Sequence, residues 1–257
     1  MRAPLRLLLT CLGLQACISM GAELHFVTED FPPFTYPAEP VSGTHDASPA
    51  AGPLVEVVQA VCERLQYRCR IELHPWRRAL DLAERGEADG IFTVVHSPER
   101  EAHFHITRML VTSRYSVFAR NNQVFSHPKD LAGHMVGVYG PSGTSYALSE
   151  RLRDVPDVEV RLVTDNRRLL RMLESGRFGE NGLAVINQDV AWHLIDDERL
   201  ATVREAGELE SVSYGIGLSR KTVDVPQFRV FEQALGALVE DGTIPAILRR
   251  HQLQPAW

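Results

Sequence analysis

The sequence predicts an α/β protein built of two similar lobes that face each other across a cleft. Three observations lead there. Strand and helix patterns alternate along the chain, the alternation restarts at Met135, and the last amphipathic helix follows the second set without forming a unit of its own.

The first set opens with a short apolar strand at Leu24–Val27, interrupted by Pro32-Pro33. Residues from Tyr36 to Gly52 are rich in Pro, Ala, Gly and Ser, a composition that builds no core element, and predict a surface loop. Leu54, Val58, Val61 and Leu65 recur at helical spacing. A strand at Cys69–Leu73, a helix at Trp76–Arg85 ended by Gly86, and a strand at Ile91–Val95 follow. In the second set, Met135–Tyr139 reads as a strand, Ser145–Leu152 as a helix and Val158–Val163 as a strand. Asp165 caps a helix carrying Leu169, Leu170, Met172 and Leu173, stopped at Gly176, and Leu183–Asn187 closes the set as a strand. Both sets contain a helix end, a glycine stop and an apolar strand, at Leu82–Phe92 and again at Leu173–Ala184. Phe228, Phe231, Leu235 and Leu238 mark the final helix, with Ile244, Ile247 and Leu248 in a short terminal piece. Returning this segment to the first lobe gives lobe one at 23–115 and 213–257, lobe two at 116–212, and crossings at Ser116–Ala119 and Val212–Gly217.

The 257 residues are 44% hydrophobic and 23% charged, in the range of a soluble globular protein. The formal charge of −6 argues against nucleic acid as a partner, since phosphate binding wants a basic face. Arg2 and Arg6, a leucine-rich core and the small residues Ser19, Gly21 and Ala22 read as a signal peptide over residues 1–22, hence export to the periplasm. Its removal takes the charge to −8, because it holds two arginines and no acid. Leu14-Gln15-Ala16-Cys17 loosely resembles a lipobox, a competing route to a lipid anchor at Cys17. Cys62 and Cys69 remain in the mature chain; an oxidising compartment favours one disulfide, and two unlinked buried thiols are the alternative.

Tyr139-Gly140-Pro141-Ser142-Gly143-Thr144-Ser145 joins a strand to a helix. Small residues there allow close backbone approach, and the helix start offers unpaired N–H groups to a carboxylate or phosphate. The bland reading is a capped tight turn. A nucleotide P-loop is excluded by the missing Lys-Ser/Thr ending. Arg100, in Ser97-Pro98-Glu99-Arg100 behind a predicted strand, can clamp a carboxylate through two parallel bonds, or pair on the surface with Glu99 or Glu101. Trp76 and Arg78 stand at another strand end, where Trp76 either lines the cleft or packs in the core. His96, His103 and His105 are close in sequence, yet such histidines are more often exposed or packed, and no metal or other cofactor is expected. Glu29, Asp30 and Asp189 are acids that could serve acid–base work if they face the cleft. No nucleophile elbow or paired nucleophile and base stands out, so a non-enzymatic role is expected.

Taken together, several short stretches resemble the extracellular solute-binding protein family 3, which includes polar amino-acid receptors of ABC transporters. They are Glu29-Asp30-Phe31-Pro32-Pro33-Phe34, Gly52 through Glu56, Gly86 with Asp89-Gly90, Ser97-Pro98-Glu99-Arg100, Val136-Gly137-Val138 and Asp241-Gly242-Thr243. Their order and spacing carry the likeness from Glu23 to about His251. The resemblance implies a type II periplasmic-binding-protein fold, two lobes joined by hinge strands that close over a ligand. It implies that Arg100 meets the ligand carboxylate, that Phe31 covers the bound side chain and that Ser142, Gly143 and Thr144 form the second contact with the carboxylate. The ligand-amine position falls at Gln188 or Asp189, and a neutral Gln188 would select less strongly for an α-ammonium. Thr93, Trp76 and Arg78 complete the expected ligand contacts; Val95 stands where many such receptors carry a hydroxyl. Cys62 and Cys69 also resemble a disulfide of some basic amino-acid receptors. The implied function is capture of a small polar solute, an amino acid or related carboxylate, by a monomer that delivers it to a membrane ABC permease. A periplasmic enzyme resembling cyclohexadienyl dehydratases and a stand-alone sensor are the competing readings.

Overall fold

The computed structural model of the protein describes residues 22–38, 48–120 and 122–257. The signal peptide, its cleavage site, the Cys17 lipobox and the middle of the 36–52 segment lie outside the described residues.

In the first half of the fold, β1 (Glu23–Thr28) lies between β4 (Arg68–Leu73) and β5 (Gly90–Val94), parallel to both. The crossover helices are α1 (Pro53–Arg64) and α2 (Trp76–Arg85). Pro53 occupies the first turn of α1, where its missing N–H costs nothing. Gly86 ends α2 with φ 77°, as its place after the last apolar position foretold. The described ends of the expected loop from Tyr36 to Gly52 are strands, not loop. They form β2 (Tyr36–Pro37) and β3 (Ser48–Ala51), which pair with each other, and β3 adds to the edge of β4. Strands this short at a sheet edge tolerate proline, which is why composition concealed them. The short helix α3 (Pro98–His103) follows β5 and leads into β6 (Phe104–Ile106). The second half repeats the plan: β8 (Met135–Tyr139) runs parallel to β9 (Glu159–Val163) and β10 (Leu183–Asn187), with α4 (Gly143–Arg151) and α5 (Asn166–Glu174) between them and α6 (Gln188–Glu198) behind. Asp165 caps α5 by accepting from the Arg168 N–H at 2.6 Å.

Two long strands join the halves. β7 (Val111–Ala119) and β11 (Arg204–Ser219) run antiparallel to each other; β7 also pairs with β10, and the far end of β11 pairs with β5 and β6. The order across the joined sheet is β2-β3-β4-β1-β5-β11-β7-β10-β8-β9. Ser116–Ala119 therefore is not a crossing: it pairs with β10 on one side and β11 on the other, deep in the second half. The chain passes over earlier, at residues 107–111, where Thr107 and Leu110 donate backbone hydrogen bonds to Ile216 and Tyr214. The return passage falls at a register shift between Gly215 and Ile216. At Gly215 a Cβ would stand 2.8 Å from the Met109 methyl and 3.2 Å from the Arg108 carbonyl, a close approach of the two passages.

The C-terminal segment packs on α1 of the first half. α7 (Val225–Glu240) and α8 (Thr243–Arg250) make these contacts, with Phe231 meeting Phe26 at 5.9 Å between ring centroids. Arg64 bonds Asp241 at 2.9 Å, and β12 (Gln254–Pro255) seals the edge of β7 beside the crossing. Cys62 and Cys69 form a disulfide that ties the last turn of α1 to β4. No helix among the described residues is long and apolar enough to cross a membrane.

Candidate functional site

The strands β1, β5 and β8 all end at the line where the two halves meet. Carboxyl ends of parallel strands present loops and helix starts instead of packed side chains, which makes this junction the natural place for a ligand. An inner chamber there is lined by Glu29, Phe31, Trp76, Thr93, Val95, Arg100, Tyr115, Tyr139, Ser142, Gly143, Thr144 and Tyr214. It opens onto an outer groove of about 1320 Å³ walled by α2 and α3 on one side and by α4 and β9 on the other.

Each wall has a local cause. Ser97 caps α3 by accepting from the Arg100 N–H at 3.2 Å, so the cap and first-turn proline hold Arg100 at the mouth of the chamber. Its guanidinium bonds Glu84 at 3.2 Å and lies 4.0 Å from Glu99, with 12% of the side chain exposed. Arg100 thus pairs with Glu84 of α2 and, at the longer distance, with Glu99 as the surface alternative had it, while Glu101 pairs with His96. Trp76 satisfies both of its readings, buried in the core at the start of α2 and lining the chamber. Thr93 holds φ 66°, a conformation that a β-branched residue adopts only where its surroundings impose it. Its hydroxyl lies within reach of that of Thr28.

On the opposite wall, Ser142 caps α4: its hydroxyl accepts from the Ser145 N–H at 3.3 Å and donates to the Tyr139 carbonyl at 2.7 Å. Gly143 lies against the crossing strands; a Cβ there would stand 3.1 Å from the Tyr115 hydroxyl. Tyr115 in turn bonds the side chain of Thr144. The start of α4 therefore lines the chamber with Ser142, the side-chain-free Gly143 and Thr144.

The floor is aromatic and acidic. Phe31 stacks on Phe34 at 5.5 Å and meets Tyr214 edge-on at 5.7 Å. Tyr139 donates a hydrogen bond to the Glu29 carboxyl at 3.0 Å, joining the first half to the second. Burial pushes Glu29 up to about 8, against the lowering effect of that bond, and the neighbouring Asp30 pushes the same way. Burial likewise raises Tyr115 to about 12 and holds Tyr139 and Tyr214 well above the ordinary phenol range.

Phe31, Trp76, Thr93, Arg100, Ser142, Gly143 and Thr144 are thus brought together in one chamber, and Arg78 stands in the outer groove beside Arg77. Gln188 and Asp189 are not part of the lining. Gln188 donates to Glu205 at 2.8 Å and accepts from Arg114 at 3.0 Å. Asp189 accepts from Ser113, which also takes a bond from Asn187, and Asn187 donates to Tyr214 at 3.0 Å. Asp189 therefore reaches the chamber only through a chain of buried side chains. The residues that sequence reasoning missed are Tyr115, Tyr139 and Tyr214 as wall residues. Tyr139 opens the quoted strand-to-helix motif, but Tyr115 and Tyr214 carry no local signal, because only the register of the crossing strands turns them inward. The three histidines go elsewhere: His105 stacks on Phe228 at 5.2 Å, His103 meets Phe104 and His96 pairs with Glu101. Among the described residues no group of three or more His, Cys, Asp or Glu is placed to hold a metal.

Solved structures share this architecture over almost the whole chain. A histidine kinase sensor domain similar to periplasmic binding proteins superposes with TM-score 0.79 at 19% identity, covering 92% of this chain and 99% of that one. An ancestral arginine-binding protein bound to arginine gives 0.76 at 21%, covering 90% and 98%. A structure from work on glutathione import through GshT and the cystine importer TcyBC of Streptococcus mutans gives 0.77 at 14%, covering 90% and 95%. At these identities the likeness establishes the type II periplasmic-binding-protein fold. No curated protein sequence matches significantly. The profile of one family, however, matches residues 25–254, from β1 to the last strand. The chain belongs to the bacterial extracellular solute-binding proteins, family 3.

Proposed function

We propose that the protein captures a small polar solute carrying a carboxylate, an amino acid or a related acid, between two lobes joined at residues 107–111 and 215–216. The observation that carries this reading is that Arg100 from the first half and the Ser142–Thr144 helix start from the second line the same chamber. A carboxylate between them exchanges the Arg100–Glu84 bond for a paired guanidinium contact and takes backbone N–H donors from α4. Because the two contacts come from opposite sides of the crossing, such a ligand binds the closed arrangement best and shifts the population towards it. Export to the periplasm and delivery by a monomer to an ABC-type permease complete the proposal.

The test is calorimetric titration of the mature protein against amino acids, organic acids and polyamines, repeated with Arg100→Ala and Arg100→Lys. Arg100→Ala is expected to weaken carboxylate binding by at least about thirtyfold, and Arg100→Lys to recover only part of it, since an ammonium cannot make the two parallel bonds. Unchanged affinity in both variants removes the clamp. A second reading is favoured by Glu29, a half-buried acid raised to about 8 and therefore suited to proton transfer in the same chamber. Mass spectrometry of each bound compound decides: recovery unchanged supports capture, and consumption makes the protein an enzyme. Loss of solute uptake on deletion supports delivery to an importer, and loss of a transcriptional response alone supports signalling.

A further inference from the structure

The inner chamber has room for a carboxylate head but not for the body of a solute. It measures about 30 Å³, space for about two water molecules, because Phe31, Trp76, Tyr115, Tyr139 and Tyr214 crowd it. Whatever is attached to a carboxylate at Arg100 therefore extends into the outer groove, which measures about 1320 Å³.

The two walls of that groove differ in chemistry. On the side of α4 and β9, Tyr146, Val160 and Leu162 form an apolar strip, with Tyr146 58% and Leu162 57% exposed. On the other side, Arg77, Leu80, Asp81 and Glu84 follow one another at helical spacing along one face of α2. The acids of this stripe already have partners. Asp81 pairs with Arg85 at 2.9 Å and Glu84 with Arg100 at 3.2 Å. Among the described residues, by contrast, no acid pairs with Arg77. Arg77 and Arg78 also occupy the first turn of α2, where a cation opposes the helix dipole, and that turn holds no acid to offset them. Two arginines at the unfavourable end of a helix are a local conflict that an incoming anion relieves.

Arg77 and Glu84 are about two turns apart on α2, roughly 10 Å along its axis, and Arg100 is bonded to Glu84. We propose that the groove takes an elongated solute with two anionic ends, a carboxylate at Arg100 and a second anionic group at Arg77, joined by an apolar middle that lies across Leu80, Tyr146 and Leu162. Asp81 and Glu84 stand between the two arginines and disfavour negative charge in the middle of the solute, so its anions are read at the ends. The inference rests on the solute-capture reading above and narrows it from a compact acid to an extended dianion.

The experiment titrates the mature protein, Arg77→Gln, Arg77→Lys and Arg100→Ala with unbranched α,ω-dicarboxylic acids of four to ten carbons. Each diacid is compared with the monocarboxylic acid and the ω-hydroxy acid of the same length. The shortest diacids are expected to bind no better than their monoacids, and beyond a minimum length the diacid binds about fivefold tighter, the scale of a partly exposed charge contact. Arg77→Gln removes this advantage, Arg77→Lys keeps part of it, and both leave monoacid affinity unchanged. The ω-hydroxy acids follow the monoacids. At the best length, an ω-phosphono acid that outbinds the diacid identifies the second group as a phosphate, and the reverse order identifies a carboxylate; both support the inference. No advantage at any length, an advantage that survives Arg77→Gln, or an equal gain from the hydroxy acid overturns it, and the capture reading stands if binding still requires Arg100. If neither monoacids nor diacids bind while amino acids bind through Arg100, the inference alone falls. If none of these compounds binds, both fall.

Discussion

At Glu29 a half-buried carboxyl is held where its surroundings disfavour the charge, and the consequence for folding can be worked out before any ligand is considered. Its ordinary value of 4.5 applies to the unfolded chain, and the folded value is about 8. The favourable contribution of the protonated form is complete below pH 4.5 and is lost as pH rises to about 8, because the unfolded chain releases the proton first. Glu29→Gln, which cannot ionise, is expected to melt at a higher temperature than the wild type at pH 8 and at nearly the same temperature at pH 4.5. A difference that stays constant across this window removes the assigned burial effect. Legibility at this scale followed local chemistry. Arg100 and Ser142 could be read because a helix cap beside a strand end is written in adjacent residues. Glu29 was visible only as one acid among several, since its burial depends on Tyr139, which is 110 residues away. Gln188 and Asp189 were drawn toward the ligand by family likeness, and Glu205, Arg114 and Ser113 hold them aside.

Elements whose boundaries rest on capping or stop residues were legible almost to the residue. Gly86 ends α2, Asp165 begins α5 and Ser97 begins α3 because each satisfies backbone groups that the helix leaves open. The hairpin of β2 and β3 was hidden, since its order comes from the neighbouring edge of β4 and not from its own composition. The first crossing was placed too late for a related reason: apolar residues from Ser116 to Ala119 are equally consistent with a hinge and with a fully paired strand. The Cys62–Cys69 link belongs to the same scale. It joins the end of α1 to β4 across a separation of seven residues, a loop whose closure contributes about 2–3 kcal/mol on chain-entropy grounds. Replacing both cysteines by serine is expected to lower the melting temperature by several degrees without altering solute affinity, because neither residue lines the chamber. An affinity change larger than about twofold would show that the link also sets the position of the cleft wall.

Across the whole molecule, the two halves share one strand pair and meet again at a few side chains. Register joins them through β7 and β11. The Tyr139–Glu29 bond joins the two halves at the chamber, and on the proposed capture reading it favours the closed arrangement before a solute arrives. One neutral hydrogen bond contributes about 0.5–1.5 kcal/mol, a factor of roughly two to thirteen in an equilibrium, so it biases closure without locking it. Tyr139→Phe removes the hydroxyl and keeps the ring in the aromatic wall. The ligand-free variant is therefore expected to scatter X-rays with a larger radius of gyration than the ligand-free wild type, and both are expected to contract to a common value when saturated. Its affinity for the solute should fall by no more than that same factor, chiefly through the share of molecules that must close on binding. If the ligand-free radii coincide and affinity is unchanged, the bond is a passive contact of the closed state, and closure is governed by the crossing strands and the solute alone.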